Sequence, residues 1–568
     1  MWTQDYDPFG SWPLSTLLAA LPILTLMGLL ASNRVPAWLA ASAALATAFG
    51  AAVLGFHMPW AMAASAAGVG AVFALIRVVY LVVAAMFLYD LAVKTGRFEV
   101  MKASIARLSP DRRIQAVLVA FSFGSFLEGC AGFGAPVAIA SAFLVGLGFR
   151  PLQAAVLALA ADTVPVSWGS VGIPLTTLGA VSGLDVPALS VTTARLLTIA
   201  TLGLPFWLAA IVAGPRRAFG AWPPLLAVGA TYAAVQLLWS RFVAVELVSI
   251  ASAIASLVAG VVVLRFWRPS ETFRFEGEDE PEPEAAADPD FGTPAAKLSR
   301  REVARAWMPF ALLTVVVMAW VTPAFPSLGT RSAKDVLDAA WSWKPEVGGL
   351  HKKVVRGAAV TGRETPTEAD LEAAVLDVTP LSAVGTAVLV AAVVGGLLTG
   401  VGPREQGRIF LGTARRMKTA ALAIVCMLAL GFVTRYSGMD AVLGLAFTRT
   451  GPALYPIFGT LLGWLGTALT GSITSSNVLF GNLQRITATN LDLSPILMGA
   501  ANTAGGAMGK MIAAASIVVA AAATGEGGRE GEVLRAALRH SLAMVAGVAA
   551  VVWVAARFAP WIAAVPAG

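Results

Sequence analysis

Long apolar runs alternate with short polar segments along almost the whole chain. No Lys, Arg, Asp or Glu occurs between Arg34 and Arg77. Because a helix needs roughly 20 apolar residues to cross a bilayer, this stretch alone accommodates two spans. Applied to the whole chain, the same criterion predicts about 12 to 15 transmembrane segments. The predicted fold class is therefore an all-α polytopic integral membrane protein.

Several apolar segments are too long or too short to be simple spans. The segments 152–178, 454–480 and 496–522 are long, whereas 114–127 and 137–149 are short. Gly and Pro interrupt these runs, and both residue types disfavour a continuous helix. We expect several of the segments to be half-helices.

The composition supports a membrane protein and excludes an ordinary soluble enzyme. Hydrophobic residues make up 57% of the chain and charged residues only 13%, against about 25% charged in soluble domains. The net charge of +7 does not indicate nucleic-acid binding, because the Lys and Arg residues flank apolar runs. Cys130 and Cys426 both stand in apolar segments and the His residues are scattered, so we expect neither a metal nor another cofactor.

The polar loops predict the orientation of the chain. Four basic regions, at 94–113, 216–217, 265–301 and 404–418, are expected to be cytoplasmic by the positive-inside rule. Three spans before the first of them place the N-terminus outside. The first apolar segment follows no basic residue, so we expect it to be a retained helix and not a cleaved signal peptide.

The polar segments also divide the chain. We predict an N-terminal transmembrane half at 1–266, an acidic cytoplasmic linker at 267–303 and a C-terminal transmembrane half at 304–568. The segment 325–379 mixes charges of both signs and is expected to be an external loop. The acidic, Pro-rich part of the linker, 276–290, should pack weakly.

Two short motifs recur in the two halves. Gly-Ser-Phe-Leu-Glu-Gly at 124–129 matches Gly-Thr-Ala-Leu-Thr-Gly at 466–471, and Ala-Ala-Asp-Thr at 160–163 matches Ala-Ala-Asn-Thr at 500–503. Small residues are common in packed membrane helices, but packing alone does not demand this order at nearly equal offset. One copy directly follows a basic loop and the other follows one further span. The copies should therefore run in opposite directions, as in the inverted repeats of secondary transporters.

Each half contains two motif regions where helices are expected to break. These regions are 121–136 and 160–174 in the first half, and 463–482 and 500–516 in the second.

Two acids beside breaks in the first repeat are candidates for proton coupling. Glu128 precedes three Gly and one Pro within eight residues, and Asp162 is followed by hydroxyl groups, Gly and Pro. Non-helical backbone at membrane depth occurs only inside protein or along a cavity, and ionisable groups there commonly mark proton or ion paths. Alternatively, Glu128 and Asp162 are structural acids that bond to nearby Thr or backbone groups. The proton affinity of a buried carboxyl depends on whether its cavity is wet or closed, which is the property that coupling needs.

The second repeat offers groups that suit a carboxylate substrate. Hydroxyl and amide groups can bond to a hydroxycarboxylate, and a lone buried cation attracts an anion. Alternatively, the Ser and Thr groups serve helix packing, and the cation snorkels to the membrane surface. With two glycines of the first repeat, the candidate substrate-binding residues are Ser472, Thr474, Ser475, Asn477, Asn502, Thr503, Lys510, Gly129 and Gly132.

These motifs make the chain resemble the L-lactate permease family of bacterial membrane transporters, almost from end to end. The segments that carry the resemblance are 6–8, 21–24, 93–96, 126–129, 463–466, 501–503 and 509–512. The resemblance implies uptake of L-lactate, D-lactate or glycolate coupled to protons, in the bacterial inner membrane. The chain differs from the family pattern at Ile473, where the family has Asp, at Asp162, where it has Asn, and at 513–515.

The predicted function is a secondary active transporter that moves a small monocarboxylate with a proton by alternating access. Its expected partners are the monocarboxylate, protons and the lipid bilayer. The alternatives are a transporter of another organic anion, a uniporter and an anion channel. A membrane enzyme is not indicated, because no nucleophile with a base, metal cluster or cofactor loop is visible.

Overall fold

The protein is almost entirely helical. The computed structural model describes residues 1–31, 35–106, 108–132, 134–275, 299–321, 332–361, 365–376, 378–526 and 529–563. Within these ranges the only paired strands are β1 (Trp2–Thr3) and β2 (Val354–Val355). Eleven of the described helices are long and apolar enough to cross a membrane, or twelve with one bent pair. The predicted all-α polytopic fold is confirmed, with the number of spans at the lower end of the expected range.

The described residues of the first half form fourteen helices, and three π-helical stretches, at Ala51–Gly55, Ala74–Val79 and Val117–Phe123, extend or join them. The helices are α1 (Trp12–Ala31), α2 (Ala37–Gly50), α3 (Trp60–Phe73), α4 (Tyr80–Lys94), α5 (Arg97–Ala106), α6 (Arg112–Ala116), α7 (Gly124–Cys130), α8 (Ala135–Gly146), α9 (Pro151–Ala161), α10 (Gly169–Ser182), α11 (Val186–Ala213), α12 (Pro215–Ala218), α13 (Trp222–Phe242) and α14 (Val248–Phe266).

In the second half, the described residues form eleven helices. They are α15 (Arg300–Val321), α16 (Ala333–Ala340), α17 (Ala358–Thr361), α18 (Val384–Leu398), α19 (Pro403–Ser437), α20 (Met439–Phe447), α21 (Gly451–Thr470), α22 (Ile473–Asn490), α23 (Pro495–Lys510), α24 (Ala514–Ala523) and α25 (Glu530–Phe558). Short 3-10 turns lie at Pro165–Trp168, Phe219–Ala221, Val245–Leu247, Glu368–Asp370, Thr448–Thr450 and Pro560–Ile562.

The basic loops meet at one face of the protein, here called the basic face. The guanidinium of Arg113 donates hydrogen bonds to the backbone carbonyls of Arg217 (2.5 Å) and Glu271 (2.9 Å). Arg97 donates to the carbonyl of Thr399 (2.8 Å), so the loop before α19 lies at the same face. The four loops predicted to be cytoplasmic therefore share one side of the molecule.

The N-terminal segment lies at the other face, here called the N-terminal face. There β1 pairs in parallel with β2, which belongs to the loop predicted to be external. The amide of Gln4 donates to the carbonyls of Arg435 (3.1 Å) and Tyr436 (3.0 Å) at the end of α19. The N-terminus and this loop thus lie together, as the predicted topology requires.

The chain beyond α14 is fixed to the basic face before the acidic segment begins. The backbone N–H of Phe273 donates to a carboxylate oxygen of Asp111 (3.0 Å), and its carbonyl accepts from the N–H of Arg112 (3.1 Å). The segment 276–290, predicted to pack weakly, lies outside the described residues. Helix α15 begins at Arg300, so the end of the predicted linker is helical.

Two helical hairpins contain the repeated motifs. In hairpin A, residues 112–146, the helix from α6 to α7 turns back near Gly132 and Gly134 into α8. In hairpin B, residues 451–490, α21 turns at Gly471 into α22, and the hydroxyl of Ser476 donates back to the carbonyl of Gly463 (3.1 Å). The long predicted segment 454–480 is broken within the motif 463–482, because Gly471 adopts a left-handed conformation (φ +78°) that ends α21.

Each hairpin is followed by a broken helix. Helix α9 and the segment Pro165–Ser182 are bent by 51° relative to one another. In the second half, the break between α23 and α24 comes directly after Lys510. The long predicted segments 152–178 and 496–522 are thus both interrupted.

The hairpins and broken helices pack reciprocally. Helix α10 packs against α22 of hairpin B, and α24 packs against α8 of hairpin A. Hairpin A begins at the basic face, whereas hairpin B begins beside Arg449, whose guanidinium lies 3.9 Å from the ring centre of Trp12. An inverted relation between the halves requires this arrangement, and that relation remains a prediction.

Glycines allow α21 and α23 to pack in close contact. A Cβ at Gly505 would overlap the backbone carbonyl of Thr460, and one at Gly463 would overlap the carbonyl of Asn502. Small residues at helix interfaces let membrane helices approach closely. The register of these two helices places the second repeat's polar residues beside one another.

We expect Gly505→Ala to destabilise the protein by about 1–3 kcal/mol, because overpacking forces the two backbones apart. Gly547→Ala on α25 is the matched control, since a Cβ there meets no atom within 4 Å. The measurement is the thermal unfolding midpoint of the purified protein in detergent. Equal midpoints for the two variants would contradict the close contact.

Candidate functional site

Two buried carboxyl groups lie side by side where hairpin A meets the broken helix of the first repeat. Glu128 stands on the last turn of α7 and Asp162 directly follows α9; they are 3% and 4% exposed. Their side chains neighbour one another. No group in the described part of the chain donates a hydrogen bond to Oε2 of Glu128 or to either carboxyl oxygen of Asp162. The pair is therefore buried without a donor from its described surroundings at three of its four oxygens, while the two carboxyls lie within hydrogen-bond reach of one another.

Glycine backbone forms the wall next to these acids. A Cβ at Gly169 would overlap Oε1 of Glu128, and a Cβ at Gly132 would overlap the hydroxyl of Ser170. That hydroxyl donates to the carbonyl of Ala131 (3.2 Å), which joins hairpin A to α10. Gly132, a predicted site residue, is therefore positioned at the acid pair.

The backbone at the start of α10 is strained. Ser170, Val171 and Gly172 are left-handed in succession, with φ of +47°, +60° and +77°. Such a conformation costs about 1–3 kcal/mol for a residue other than Gly, and strain of this kind clusters at functional sites. The break next to Glu128 is thus held by its surroundings and not by local preference.

Lys510 brings a positive charge to the same place from the second repeat. It is the last residue of α23, is 8% exposed, and its ammonium donates to the carbonyl of Gly471 (2.8 Å). Its charge acts on both Glu128 and Asp162. The ammonium therefore points into the protein and does not snorkel to a membrane surface.

The start of α22 adds further positive character beside Lys510. Ser472 caps this helix, and its hydroxyl accepts from the N–H of Ser475 (3.3 Å). The first backbone N–H groups of a helix have no partner inside it, and the N-terminus carries a partial positive charge. Thr474 is half-buried on this first turn. Together with Lys510, these donors can bind a carboxylate.

A second cluster of polar groups is satisfied internally. The side-chain amide of Asn477 donates to the carbonyl of Pro174 (2.9 Å) and to the hydroxyl of Thr503 (3.1 Å). Its carbonyl oxygen accepts from the amide of Asn502 (2.9 Å). All three side chains are fully buried. This network ties α10 of the first repeat to α22 and α23 of the second.

Two further residues of this network were not predicted. The amide of Gln484 donates to the carbonyl of Gly459 (2.7 Å) and to the side chain of Asn502 (3.2 Å), and its oxygen accepts from the hydroxyl of Tyr455 (2.7 Å). The sequence contains little signal for Gln484, since it stands beside Asn482 and Arg485 and outside the apolar segment 454–480. Their partners could be identified only from the packing.

The remaining predicted residues lie at packing positions. A Cβ at Gly129 would come 2.7 Å from a side-chain carbon of Ile250, so Gly129 allows α7 and α14 to pack. The hydroxyl of Ser475 contacts the sulfur of Met427 at 2.8 Å. Of the predicted residues, the structure brings Glu128, Asp162 and Lys510 together.

Buried charges at the meeting point of two hairpins and two broken helices, in a polytopic helical protein, define a membrane transport protein and not an enzyme. The chain belongs to the L-lactate permease family, whose family model matches residues 15–559.

Curated relatives match over nearly their full lengths. The L-lactate permease of Bacillus subtilis (strain 168) is 39% identical over 95% of this chain and 96% of its own. The glycolate permease GlcA of Escherichia coli (strain K12) is 40% identical over 95% of each chain. The L-lactate permease of the same strain is 38% identical over 99% of each.

Among solved structures, the YdaH transporter of Alcanivorax borkumensis covers 84% of each chain at 14% identity, with a TM-score of 0.41. This likeness is too distant to add to the assignment.

We expect Gln484→Leu to lower stability by about 1–3 kcal/mol, because it leaves the buried partners of Gln484 without hydrogen bonds. Thr489→Val is the control, since Thr489 lies on the exposed end of the same helix. The two purified variants are compared by their unfolding midpoints in detergent. The network would be unimportant for the fold if Gln484→Leu melted like the control.

Proposed function

We propose that this protein is a secondary active transporter that takes up a small monocarboxylate, L-lactate or glycolate, together with a proton. The names of the full-length relatives support the substrate class. The observation that carries the coupling is the pair of adjacent buried acids beside Lys510. The proposed location is the bacterial inner membrane, with the N-terminus outside.

The substrate carboxylate binds at Lys510 and the first turn of α22. In the structure the Lys510 ammonium donates to a neutral carbonyl, that of Gly471, and an anion offers it a stronger partner. The hydroxyl of Thr474 lies on the same turn and is available to the substrate hydroxyl. Asn477, Asn502 and Thr503 bond to one another and hold this surface in place.

The proton binds at the acid pair. A carboxylate at Lys510 adds a negative charge beside Glu128 and Asp162, and a proton on the pair compensates it. Because charges interact strongly where water is excluded, the anion and the proton then favour each other's binding. Asp162 supplies a carboxyl group in the first repeat, while Ile473 is apolar and buried in the second.

The arrangement of the two repeats supports alternating access as the mode of transport. The halves 1–266 and 304–568 each contribute one hairpin and one broken helix to the site, and the hairpins begin at opposite faces. Inverted repeats that move against one another around a central site expose it to each side in turn. The strained start of α10 and the break after Lys510 are the points where the backbone can bend.

We expect Glu128→Gln to abolish proton-driven accumulation while exchange of substrate across the membrane continues, because an amide cannot carry the proton. Asp162→Asn should give a milder change in pH dependence. The measurement is uptake of labelled L-lactate and glycolate by protein in liposomes, with and without an imposed pH gradient. Accumulation by Glu128→Gln with unchanged pH dependence would assign the acid a structural role. Flux that does not saturate would indicate a channel.

We expect Lys510→Met to raise the KM for uptake at least about tenfold, because the loss of one charged hydrogen bond costs about 1.5–3 kcal/mol. Lys334→Met removes an exposed lysine and is the matched control. Elution as a single species in gel filtration shows that each variant is assembled. A KM equal to that of the control would place the carboxylate elsewhere.

A further inference from the structure

A separate cavity of about 200 Å³ lies at the N-terminal face. The loop between α17 and α18 covers it with residues 371–376, here called the strap. The rings of Phe73, Phe432 and Tyr436 line the side formed by the membrane helices. The cavity therefore lies between the strap and the transmembrane helices, and its surface includes both polar and apolar atoms.

One charged group faces this cavity. Of the described residues that line it, only Arg435 is charged. Its side chain is 20% exposed, and Nη2 donates to a carboxylate oxygen of Glu372 in the strap (3.0 Å). Its Nη1 donates to the carbonyl of Ala180 at the end of α10 (3.3 Å), whereas its buried Nε finds no acceptor among the described residues. Arg435 thus retains capacity to bind an anion.

The balance of charge around the cavity favours an anion. Glu372 is shared, since Arg356 approaches its other carboxylate oxygen at 3.7 Å. Two guanidinium groups therefore meet one carboxylate. Farther from the cavity, Arg485 and Asp440 offset one another, and both bond to the side chain of Asn482. Glu372 is thus not the exclusive partner of Arg435.

We propose that this cavity is a vestibule site that binds a small monocarboxylate before it reaches Lys510. The substrate carboxylate replaces Glu372 on Arg435, and the short carbon chain packs against Phe73 and Phe432. A volume of about 200 Å³ accommodates a three-carbon acid. The identity of the ligand rests on the proposed function, whereas the affinity for an anion rests on Arg435 alone.

Helix α10 connects the vestibule to the buried network around Asn477. Ala180 and Pro174 both belong to α10, and the rise of a helix separates them by about 9 Å. The Pro174 carbonyl binds Asn477 in the buried network. Release of Glu372 from Arg435 also removes one of the bonds that hold the strap over the cavity. The arriving anion itself therefore loosens the cover.

The test uses a cysteine in the strap and does not depend on transport. Val375 lines the cavity and is 42% exposed, and the native Cys130 and Cys426 are both buried. Val375→Cys is labelled with a negatively charged and a positively charged methanethiosulfonate of similar size. The matched control is Ala340→Cys. Ala340 is exposed at the end of α16, in the segment 325–379 that also contains the strap.

We expect the ratio of the labelling rates of the negative and the positive reagent to be at least threefold higher at Val375→Cys than at Ala340→Cys. Arg435→Gln should reduce this preference to the control value, and Glu372→Gln should increase it. L-Lactate should slow labelling of Val375→Cys but not of Ala340→Cys. In a protein that also carries Glu372→Gln, a lower concentration of L-lactate should be enough to slow labelling of Val375→Cys. If Arg435→Gln does not assemble, the proposal is tested by Glu372→Gln, which should increase the preference for the negative reagent.

The outcomes separate the two proposals. No charge preference and no protection by L-lactate, in a protein that transports L-lactate, would overturn the vestibule site. Protection at Val375→Cys in a protein that does not accumulate L-lactate would uphold the vestibule site and refute proton-driven uptake.

Discussion

The hydrogen bond from Lys510 to the Gly471 carbonyl is the interaction on which the centre of this protein depends. A charged group away from water must meet polar partners, and the last carbonyls of a helix must also be satisfied. One ammonium meets both requirements at the turn of hairpin B. Its charge also reaches Glu128 and Asp162, so three separate parts of the chain are joined electrostatically.

The polar groups around this centre divide into two kinds. Asn477, Asn502 and Gln484 are saturated by one another and by backbone carbonyls, so breaking their network is costly in a dry interior. Three of the four carboxyl oxygens of the acid pair receive no hydrogen bond from the other described groups. Beside a rigid network, such groups can change partners while the helices around them keep their register.

Arg435 connects the surface of the protein to this centre. It stands near the end of α19 and bonds to both the strap and the end of α10. Since α10 also bonds to Asn477 and carries the strained residues beside Glu128, a change at the N-terminal face has a direct structural route to the acid pair. The broken helix α10 thus contacts both the region of the strap and vestibule, through Arg435, and the central site, through Asn477.

The sequence by itself determined the fold class, the two acids, the lone lysine and the motif pairs. These features are visible in the sequence because charged residues and clustered Gly are energetically unfavourable at membrane depth. They therefore occur there only for a structural or functional reason, and they stand out in an apolar chain. The same contrast revealed the basic loops, which the structure places at one face.

Only the tertiary structure decided which polar groups are paired with which. Hydropathy does not distinguish a straight span from two helices joined at Gly471, because both are equally apolar. Nor does it show that the side chain of Asn477 is hydrogen-bonded to Thr503 and Asn502, whereas the carboxyl group of Asp162 receives no hydrogen bond from the described groups around the acid pair. Hydrogen bonds join atoms within about 3 Å, and such contacts between residues far apart in the chain arise only when the helices pack.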